Sequence, residues 1–292
     1  TSSVLFTPVG INRMTLKNRI VMPAMASYHA AVNGEATEKL IRYHEERAKG
    51  GVGMNIVEAT YVARSGNSFD LGLGISDDFM IKGLSKLTEA VHRHDGKIAI
   101  QLQHGGRFGN PPTSGCPRLL VSMIPGLAPT ENARVMDADD IEGMVEAYVQ
   151  AARRAVDEDF PILYRHTSME DVPERHRLRY QRRAVPALTD AGVNAFDITA
   201  GMQCCFELMT PPTCMPKART PPPSADVKEA LGDRARGMLT GWISDADTAE
   251  RVVRDGLADF AIKIEERRVG KDVDLGGRRI IKKIQEQMVD GE

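Results

Sequence analysis

Short apolar runs alternate with amphipathic stretches along most of this chain, and this alternation constrains the fold more than any other feature. Such runs are typical of strands buried on both faces, and a helix between successive strands makes those strands parallel. One strand occurs in roughly every 30 to 40 residues, which predicts an α/β fold with a parallel sheet. The predicted strands are residues 18–25, 53–59, 97–102, 160–165, 193–199, 236–240 and 257–262.

Two parallel architectures are compatible with this alternation. A closed (β/α)₈ TIM-type barrel needs eight strands, one more than the sequence supplies, and an open doubly wound sheet needs fewer. No G-x-G-x-x-G motif follows the first strand, which weakens the dinucleotide-binding type of open sheet. We favour the barrel over the open sheet, and we expect the barrel to be incomplete in this sequence.

Charge and composition narrow the range of partners. The net charge of −2 gives no reason to expect nucleic acid or an anionic membrane as a partner. No window approaches the roughly 18 apolar residues of a transmembrane helix, and the first residues do not resemble a secretory signal. The cysteines form no C-x-x-C pair and no metal site is expected. We therefore predict a cytoplasmic protein with reduced thiols. A small-molecule substrate and a homo-oligomeric state are further expectations, which charge and composition do not establish.

The third predicted strand indicates where a site would lie. The stretch Lys97–Arg107 begins as an apolar run and ends in glutamine, histidine, two glycines and arginine. Polar groups at the carboxyl end of a buried strand are typical of sites in parallel α/β folds. The alternative is a strand followed by a solvated turn, but several other strands end in the same way.

Two regions are expected to lack regular structure. Residues 1–17 contain proline and glycine at positions that interrupt regular elements. Residues 105–136 are rich in proline, and a loop of this length in a compact domain is usually functional or mobile. Helix starts are clearer, because Thr37 and the acidic cluster at Asp137 precede amphipathic stretches.

Four segments together resemble the old yellow enzyme family, and within it the 2,4-dienoyl-CoA reductase and 2-enoate reductase branch. They occur in the family's order, with matching spacing through about Val156. The segments are Asn18–Met25, Val57–Ala59, Gln101–Arg107 and Phe160–Arg165. The resemblance implies an FMN-bearing (β/α)₈ barrel that reduces activated carbon–carbon double bonds with hydride from NAD(P)H.

By this resemblance, Arg165 and Gln101 contact the polar edge of the flavin ring. Negative charge develops near N1 and O2 when N5 accepts hydride, and the Arg165 guanidinium would stabilise it. The alternative for Arg165 is a surface side chain or a buried ion pair. Gln101 can donate and accept at the same edge, and a capping side chain in a loop is its alternative. We favour the cofactor role for both residues.

Small side chains are expected under the flavin ring and near its phosphate. Pro23, Ala24, Met25 and Ala59 would lie under the ring, although Met25 is nearly as well explained as an ordinary core methionine. Glycine at a strand end before a helix presents backbone N–H groups to a phosphate. The phosphate-site candidates are Gly201, Gly241 and Trp242.

Tyr28 is the candidate catalytic residue, because a tyrosine at this place lines the substrate site in part of the family. A loop tyrosine that packs on the barrel rim is an equally good interpretation. His29 and His104 could act as acid or base, but no partner is visible for either, so no proton transfer is assigned to them. His166 is expected to face the opposite side of its strand from Arg165.

The chain departs from the family pattern at two junctions. Between Glu158 and Asp159 the family has a strand and a helix that carry a histidine-containing pair and a proton-donating tyrosine. After Ile262 the family has Gly-Arg, whereas this chain continues with Lys263. We predict that neither junction joins elements that are directly connected in the folded molecule.

These junctions define the expected domains. Residues 1–262 form the FMN-binding barrel, and residues 263–292 resemble a remnant of a second flavin and nicotinamide domain. A 4Fe-4S cluster and FAD are expected only if the chain is part of a longer polypeptide.

The leading functional hypothesis is an FMN-dependent oxidoreductase that reduces an α,β-unsaturated carbonyl compound or acyl-CoA with hydride from NAD(P)H. A flavin-dependent desaturase that catalyses the reverse reaction is one alternative. A non-catalytic, barrel-derived binding protein is the other, because the proton donor and the carbonyl-binding pair of the family are absent here.

Overall fold

A computed structural model describes residues 3–123, 131–156, 161–169, 185–200, 227–240, 243 and 245–262. The chain divides into two compact units. The first unit contains Thr1–Pro23, Lys49–Met54 and Phe160–Glu292, and the second contains Ala24–Ala48 and Asn55–Asp159. In the described part of the chain, no helix has both the length and the apolar character needed to cross a membrane.

The helices are α1 (Glu38–Lys49), α2 (Ile81–His92), α3 (Pro111–Ser114), α4 (Ala138–Ala155) and α5 (Ala246–Arg254), and residues 185–190 and 227–231 are also helical. The strands are β1 (Val9–Ile11), β2 (Met14–Leu16), β3 (Ile20–Met22), β4 (Met54–Tyr61), β5 (Lys97–Gln103), β6 (Arg118–Leu120), β7 (Ala133–Val135), β8 (Leu163–Met169), β9 (Ala195–Ala200), β10 (Arg236–Thr240) and β11 (Phe260–Ile262).

In the first unit, five strands follow one another in the order β3-β11-β10-β9-β8. Every neighbouring pair in this row is parallel. Phe196 and Ile198 of β9 are fully buried and pack with Val227 and Leu231 of the helical segment 227–231. The apolar runs were therefore correctly interpreted as parallel strands. Burial is confirmed for β3 and β11, whose residues are all buried, but not for β8, in which Tyr164 and Arg165 are exposed.

In the second unit, β4 and β5 are neighbours, and β5 ends the row. The residues of β4 are buried with one exception, whereas all seven residues of β5 are only half-buried. The apolar faces of α1 and α2 cover this part of the sheet through Leu40, Ile41 and Leu87, which pack with Val57 of β4. All seven predicted strands are confirmed as β3, β4, β5, β8, β9, β10 and β11.

Two expectations about irregular regions were wrong. Within residues 1–17, β1 and β2 form an antiparallel hairpin, because Asn12 adopts a positive φ of 49° in the turn and Ile11 and Leu16 are buried. Within residues 105–136, the described part contains α3 and the pair β6 and β7. Prolines do not prevent α3, because they occupy its first turn, where no backbone N–H is required.

The predicted helix caps at Thr37 and Asp137 are confirmed. The backbone N–H of Leu40 donates to Thr37 Oγ1 at 3.3 Å. Asp137 forms a capping box with Asp140, in which each carboxylate accepts from the other residue's backbone N–H, at 2.9 and 3.1 Å. Thr37 and Asp137, which were predicted as caps because they precede amphipathic stretches, therefore lie at the starts of α1 and α4.

Glycine at position 74 makes room for a buried tyrosine. A Cβ at Gly74 would lie 2.4 Å from Cζ of Tyr61, and a Cβ at Gly34 would lie 2.1 Å from its hydroxyl oxygen, so the ring has little room to move. We expect Gly74→Ala to lower the free energy of unfolding by about 1–3 kcal/mol through overpacking. Urea unfolding measures this change.

Gly143→Ala is the matched control for that substitution. A Cβ at Gly143 in α4 would meet nothing within 4 Å. This variant is expected to gain about 0.5–1 kcal/mol, because alanine has the higher helix propensity. Equal stability of the Gly74→Ala variant and the parent would contradict the overpacking explanation.

Candidate active site

The segment that follows β3 is held in place by a buried carboxylate. The backbone N–H of Ser27 donates to Oε2 of Glu58 at 2.8 Å. Glu58 lies on β4, and only 2% of its surface is exposed. A buried carboxylate that accepts a backbone N–H restrains that backbone, since breaking the bond would leave both groups unpaired. Residues 24–28 are therefore tied to the sheet inside the second unit.

Burial also changes the acidity of Glu58. It raises the pKa of this carboxyl above its ordinary value, although the hydrogen bond from the Ser27 backbone N–H acts in the opposite direction. The raised pKa reflects the cost of removing the charged carboxylate from water. The folded protein is therefore less stable when Glu58 is ionised than when Glu58 is protonated.

Tyr28 has a strained backbone at the surface of the same segment. Its φ is +56°, a left-handed conformation that is costly for a bulky residue. The residue is 45% exposed, and its ring forms a T-shaped contact with the ring of Phe69, with centroids 5.5 Å apart. Strained backbone of this kind clusters at functional sites. The geometry is compatible with the predicted substrate-lining role and also with packing of the ring on Phe69.

Ala59 is the one residue of β4 that is not buried. Ala24 and Met25 are also half-buried, whereas Pro23, in the first unit, is buried. Gln101 of β5 is half-buried, and its side chain forms no hydrogen bond with the described residues. The second unit therefore presents small side chains and an amide that is available for a ligand.

His104 has partners, contrary to the expectation from the sequence. Its Nδ1 accepts from the backbone N–H of Gly106 at 3.1 Å, so Nε2 carries the proton in the neutral ring and donates to Ser65 Oγ, 3.0 Å away. Burial lowers the pKa of His104. The ring also needs Gly66, because a Cβ there would lie 2.6 Å from it. This arrangement positions a neutral histidine and does not activate Ser65 as a nucleophile.

In the first unit, Arg165 lies beside a buried carboxylate that the sequence reasoning missed. Arg165 of β8 and Asp197 of β9 are register partners, with Nη1 and Oδ2 3.7 Å apart. Thr240 of β10 donates to Asp197 Oδ1 at 2.5 Å. The Asp197 side chain is 6% exposed and that of Arg165 is 34% exposed. An acidic residue between buried Phe196 and Ile198 is the signal that could have identified Asp197.

Other predictions lie outside the described residues. These are the phosphate candidates Gly201, Gly241 and Trp242, and the two junctions at 158/159 and 262/263. The side chain of His166 is also not described. His29 lies within the described residues. Burial lowers its pKa, and its Nδ1 forms no hydrogen bond with the described residues. As in the sequence analysis, no proton transfer is assigned to this histidine.

Comparison with known proteins gives one family and several relatives. The family model described as NADH:flavin oxidoreductase / NADH oxidase matches residues 4–169, which is more than half of the chain. A metal reductase of Desulforamulus reducens is 27% identical over 316 residues, covering 88% of this chain and 46% of the relative. An NADPH dehydrogenase of Bacillus subtilis is 38% identical over 168 residues, covering 56% of this chain and 48% of the relative. The chain thus spans about half the length of these curated relatives.

Solved structures show the fold. A 2-naphthoyl-CoA reductase in complex with 2-naphthoyl-CoA has a TM-score of 0.82 at 18% identity, covering 97% of this chain and 52% of that chain. An old yellow enzyme homologue from Zymomonas mobilis has a TM-score of 0.65 at 20% identity, covering 96% of this chain and 92% of that chain. The predicted α/β fold, an incomplete (β/α)₈ TIM-type barrel, is confirmed, and the open doubly wound sheet is excluded.

Proposed function

Because the chain belongs to the NADH:flavin oxidoreductase / NADH oxidase family, we propose that it is an FMN-dependent oxidoreductase that reduces the carbon–carbon double bond of an α,β-unsaturated carbonyl compound or acyl-CoA. The observation that carries this proposal is the family match over residues 4–169, which includes Tyr28, Ala59, Gln101 and Arg165. Family membership supports FMN and NAD(P)H as the cofactor and the hydride donor.

The described residues of the second unit fit one face and one edge of a flavin. Half-buried Ala24 and Ala59 leave room for a flat ring to approach the backbone, which larger side chains would fill, and the flexible side chain of half-buried Met25 can pack against such a ring. The Gln101 amide offers both a donor and an acceptor to a polar ring edge. When bound, FMN supplies reversible hydride transfer at its N5 position.

In the first unit, Arg165 supplies a cation, and the nearby Asp197 carboxylate attracts its guanidinium and so restricts the orientation of the side chain. The guanidinium would stabilise negative charge at the N1–O2 edge of a bound flavin. Thr240 donates to Asp197, so the carboxylate does not depend on Arg165 for its hydrogen bonds. The 3.7 Å separation and partial exposure of Arg165 leave its N–H groups able to bind a ligand. Gly201, Gly241 and Trp242 remain the proposed phosphate residues.

Tyr28 is the proposed substrate residue of the second unit. Its hydroxyl would donate a hydrogen bond to the substrate carbonyl, which withdraws electrons from the double bond and favours hydride addition at the β-carbon. The hydrogen bond between the Ser27 backbone and Glu58 restrains the residue that precedes Tyr28, and this restraint would help to hold Tyr28 in its strained conformation.

Several further parts of the proposal depend on the length of the natural protein. Its curated relatives are about twice as long as the matched part of this chain, so a 4Fe-4S cluster and an FAD domain are proposed only for a longer polypeptide. The boundary between two domains at residue 262 is also proposed only for a longer polypeptide. We further propose a homo-oligomeric state and a cytoplasmic location.

Anaerobic half-reactions test the activity and separate it from the alternatives. We expect NADH or NADPH to bleach the flavin band of the purified protein. Addition of 2-cyclohexenone or crotonyl-CoA should then restore it; an acyl-CoA is included because one structural neighbour was solved with such a compound. Bleaching by butyryl-CoA without a nicotinamide would indicate the desaturase instead. A bound flavin that no nicotinamide or thioester reduces would indicate a non-catalytic binding protein.

A further inference from the structure

Asp197 is a buried carboxylate on the same face of the sheet as Arg165. Its neighbours on β9, Phe196 and Ile198, point to the opposite face, where they pack with the helical segment 227–231. Asp197 therefore points away from that segment, and its register partner Arg165 on β8 points to the same side as Asp197. Because burial of an unpaired charge is costly, the partners of Asp197 determine how this carboxylate is held.

Thr240 holds the Asp197 carboxylate at a distance from the arginine. Strand β9 lies between β8 and β10, so Arg165 and Thr240 approach Asp197 from opposite sides. The hydroxyl of Thr240, a residue that is 3% exposed, donates to Asp197 Oδ1 at 2.5 Å. Asp197 Oδ2 lies 3.7 Å from Arg165 Nη1. A charge-assisted hydrogen bond between nitrogen and oxygen is usually about 2.7–2.9 Å long, so the ion pair is close but not directly hydrogen-bonded.

This distance leaves the Arg165 cation only partly neutralised. Among the described residues, Asp197 is the one carboxylate within ion-pair distance of Arg165, and the arginine side chain is 34% exposed. A carboxylate 3.7 Å away reduces the positive potential of the guanidinium but leaves its N–H groups able to bind a ligand. The strength of the cation at this site therefore depends on how closely Asp197 approaches it.

We propose that Asp197 is a positioning residue that sets the reduction potential of the flavin through Arg165, and that Thr240 sets the distance between the two charges. This inference rests on the proposed function, in which Arg165 lies at the N1–O2 edge of the ring. Hydride transfer from NAD(P)H brings two electrons and one proton to the flavin, releases NAD(P)⁺ and leaves one negative charge near that edge. The Arg165 cation favours this charged product, and the Asp197 carboxylate opposes it.

The consequence for the reaction is a more strongly reducing site. By opposing the negative charge of the reduced flavin, Asp197 makes flavin reduction less favourable and the subsequent hydride transfer to the substrate more favourable. A buried carboxylate that only supported the fold would have no such effect on the flavin.

Two substitutions with opposite expected effects on the potential of the FMN-loaded protein test this inference. Asp197→Asn removes the charge but keeps an acceptor for Thr240. It should favour the reduced flavin about tenfold, which is a rise of about 30 mV for a two-electron couple. Thr240→Val removes the donor to Oδ1, so the carboxylate can approach Arg165. This variant should disfavour the reduced flavin about threefold, a fall of about 15 mV. Anaerobic reduction in equilibrium with a reference dye measures both potentials.

Two substitutions elsewhere in the first unit are matched controls. Asp190→Asn removes the carboxylate of an exposed ion pair that is 2.8 Å long. Thr189→Val removes a hydroxyl that donates to the backbone C=O of Val185 at 2.9 Å. Both residues belong to the helical segment 185–190, which packs on the face of the sheet opposite to Asp197. Both controls should have the potential of the parent.

The possible outcomes separate this inference from the proposed function. Equal potentials of the parent and Asp197→Asn would overturn the inference. A shift of the same sign in Asp197→Asn and Thr240→Val would also overturn it, because general loosening of the site would act on both alike. If Thr240→Val does not fold, the Asp197→Asn result decides the question by itself. A parent protein that binds no FMN would instead overturn the proposed function, and this inference with it.

Discussion

Replacement of Arg165 by alanine is expected to weaken FMN binding by about tenfold to more than a hundredfold, because a charge-assisted hydrogen bond to a ligand contributes roughly 1.5–3 kcal/mol. Reduction of the bound flavin by NAD(P)H should also slow, since the cation that stabilises negative charge at the ring edge is lost. Titration of the apoprotein with FMN, followed by flavin fluorescence, measures the first effect, and anaerobic rapid mixing measures the second.

Two variants separate this role from simple support of the fold. Arg165→Lys keeps the charge and should recover part of the FMN affinity, whereas a purely structural role of the planar guanidinium would not be rescued. Asp197→Asn removes the partner of Arg165 and keeps a group that can accept from Thr240. That variant should bind FMN at least as tightly as the parent, because the guanidinium no longer interacts with a carboxylate. Unchanged FMN affinity of Arg165→Ala would contradict the assignment.

Glu58 is expected to give the second large effect. Glu58→Leu removes the acceptor of the Ser27 N–H, which should cost about 1–3 kcal/mol of stability and release the segment that carries Tyr28. The rate of substrate reduction should fall more than the rate of flavin reduction by NAD(P)H, because Tyr28 is proposed to contact only the substrate. Stopped-flow measurement of the two half-reactions separates these rates.

Glu58→Gln is the matched control, and the pH dependence of stability distinguishes it from the parent. The folded-state pKa of Glu58 is raised above its ordinary value of 4.5, so the parent loses stability as the pH rises from about that value through the folded pKa. Glutamine can still accept from Ser27 but does not ionise, so this loss should be absent. A urea-unfolding series across that pH range that shows the same slope in both proteins would contradict the buried-carboxylate account.

The strands could be predicted well from the sequence because each is an uninterrupted apolar run. Such a run can be recognised within one short segment, without knowledge of contacts to distant residues. The hairpin of β1 and β2 was missed because its strands are three residues long and depend on a turn at Asn12. The pair β6 and β7 was missed for a related reason, since its two strands are also three residues long and are separated by residues 121–132.

The candidate site was predictable only in part. Gln101, Ala59 and Arg165 could be proposed because polar or small residues at strand ends form a recognisable pattern and because the chain resembles a flavin-binding family; their roles at the cofactor stay predictions. Three features were not predicted: the ion pair of Asp197 with Arg165, the hydrogen bond from Ser27 to Glu58, and the contact of His104 with Ser65. Each is a contact between residues that are distant in the chain. The left-handed backbone of Tyr28 could not be predicted either, since a tyrosine carries no local signal for a positive φ.

The flavin content of the purified protein tests the central claim most directly. The folded protein should bind FMN with a stoichiometry of about one per chain, and NAD(P)H should bleach its absorption band under anaerobic conditions. Acid release followed by chromatography would identify the flavin as FMN, and the Arg165→Ala variant should contain less of it. A folded protein that contains no flavin and does not bind added FMN would contradict the account.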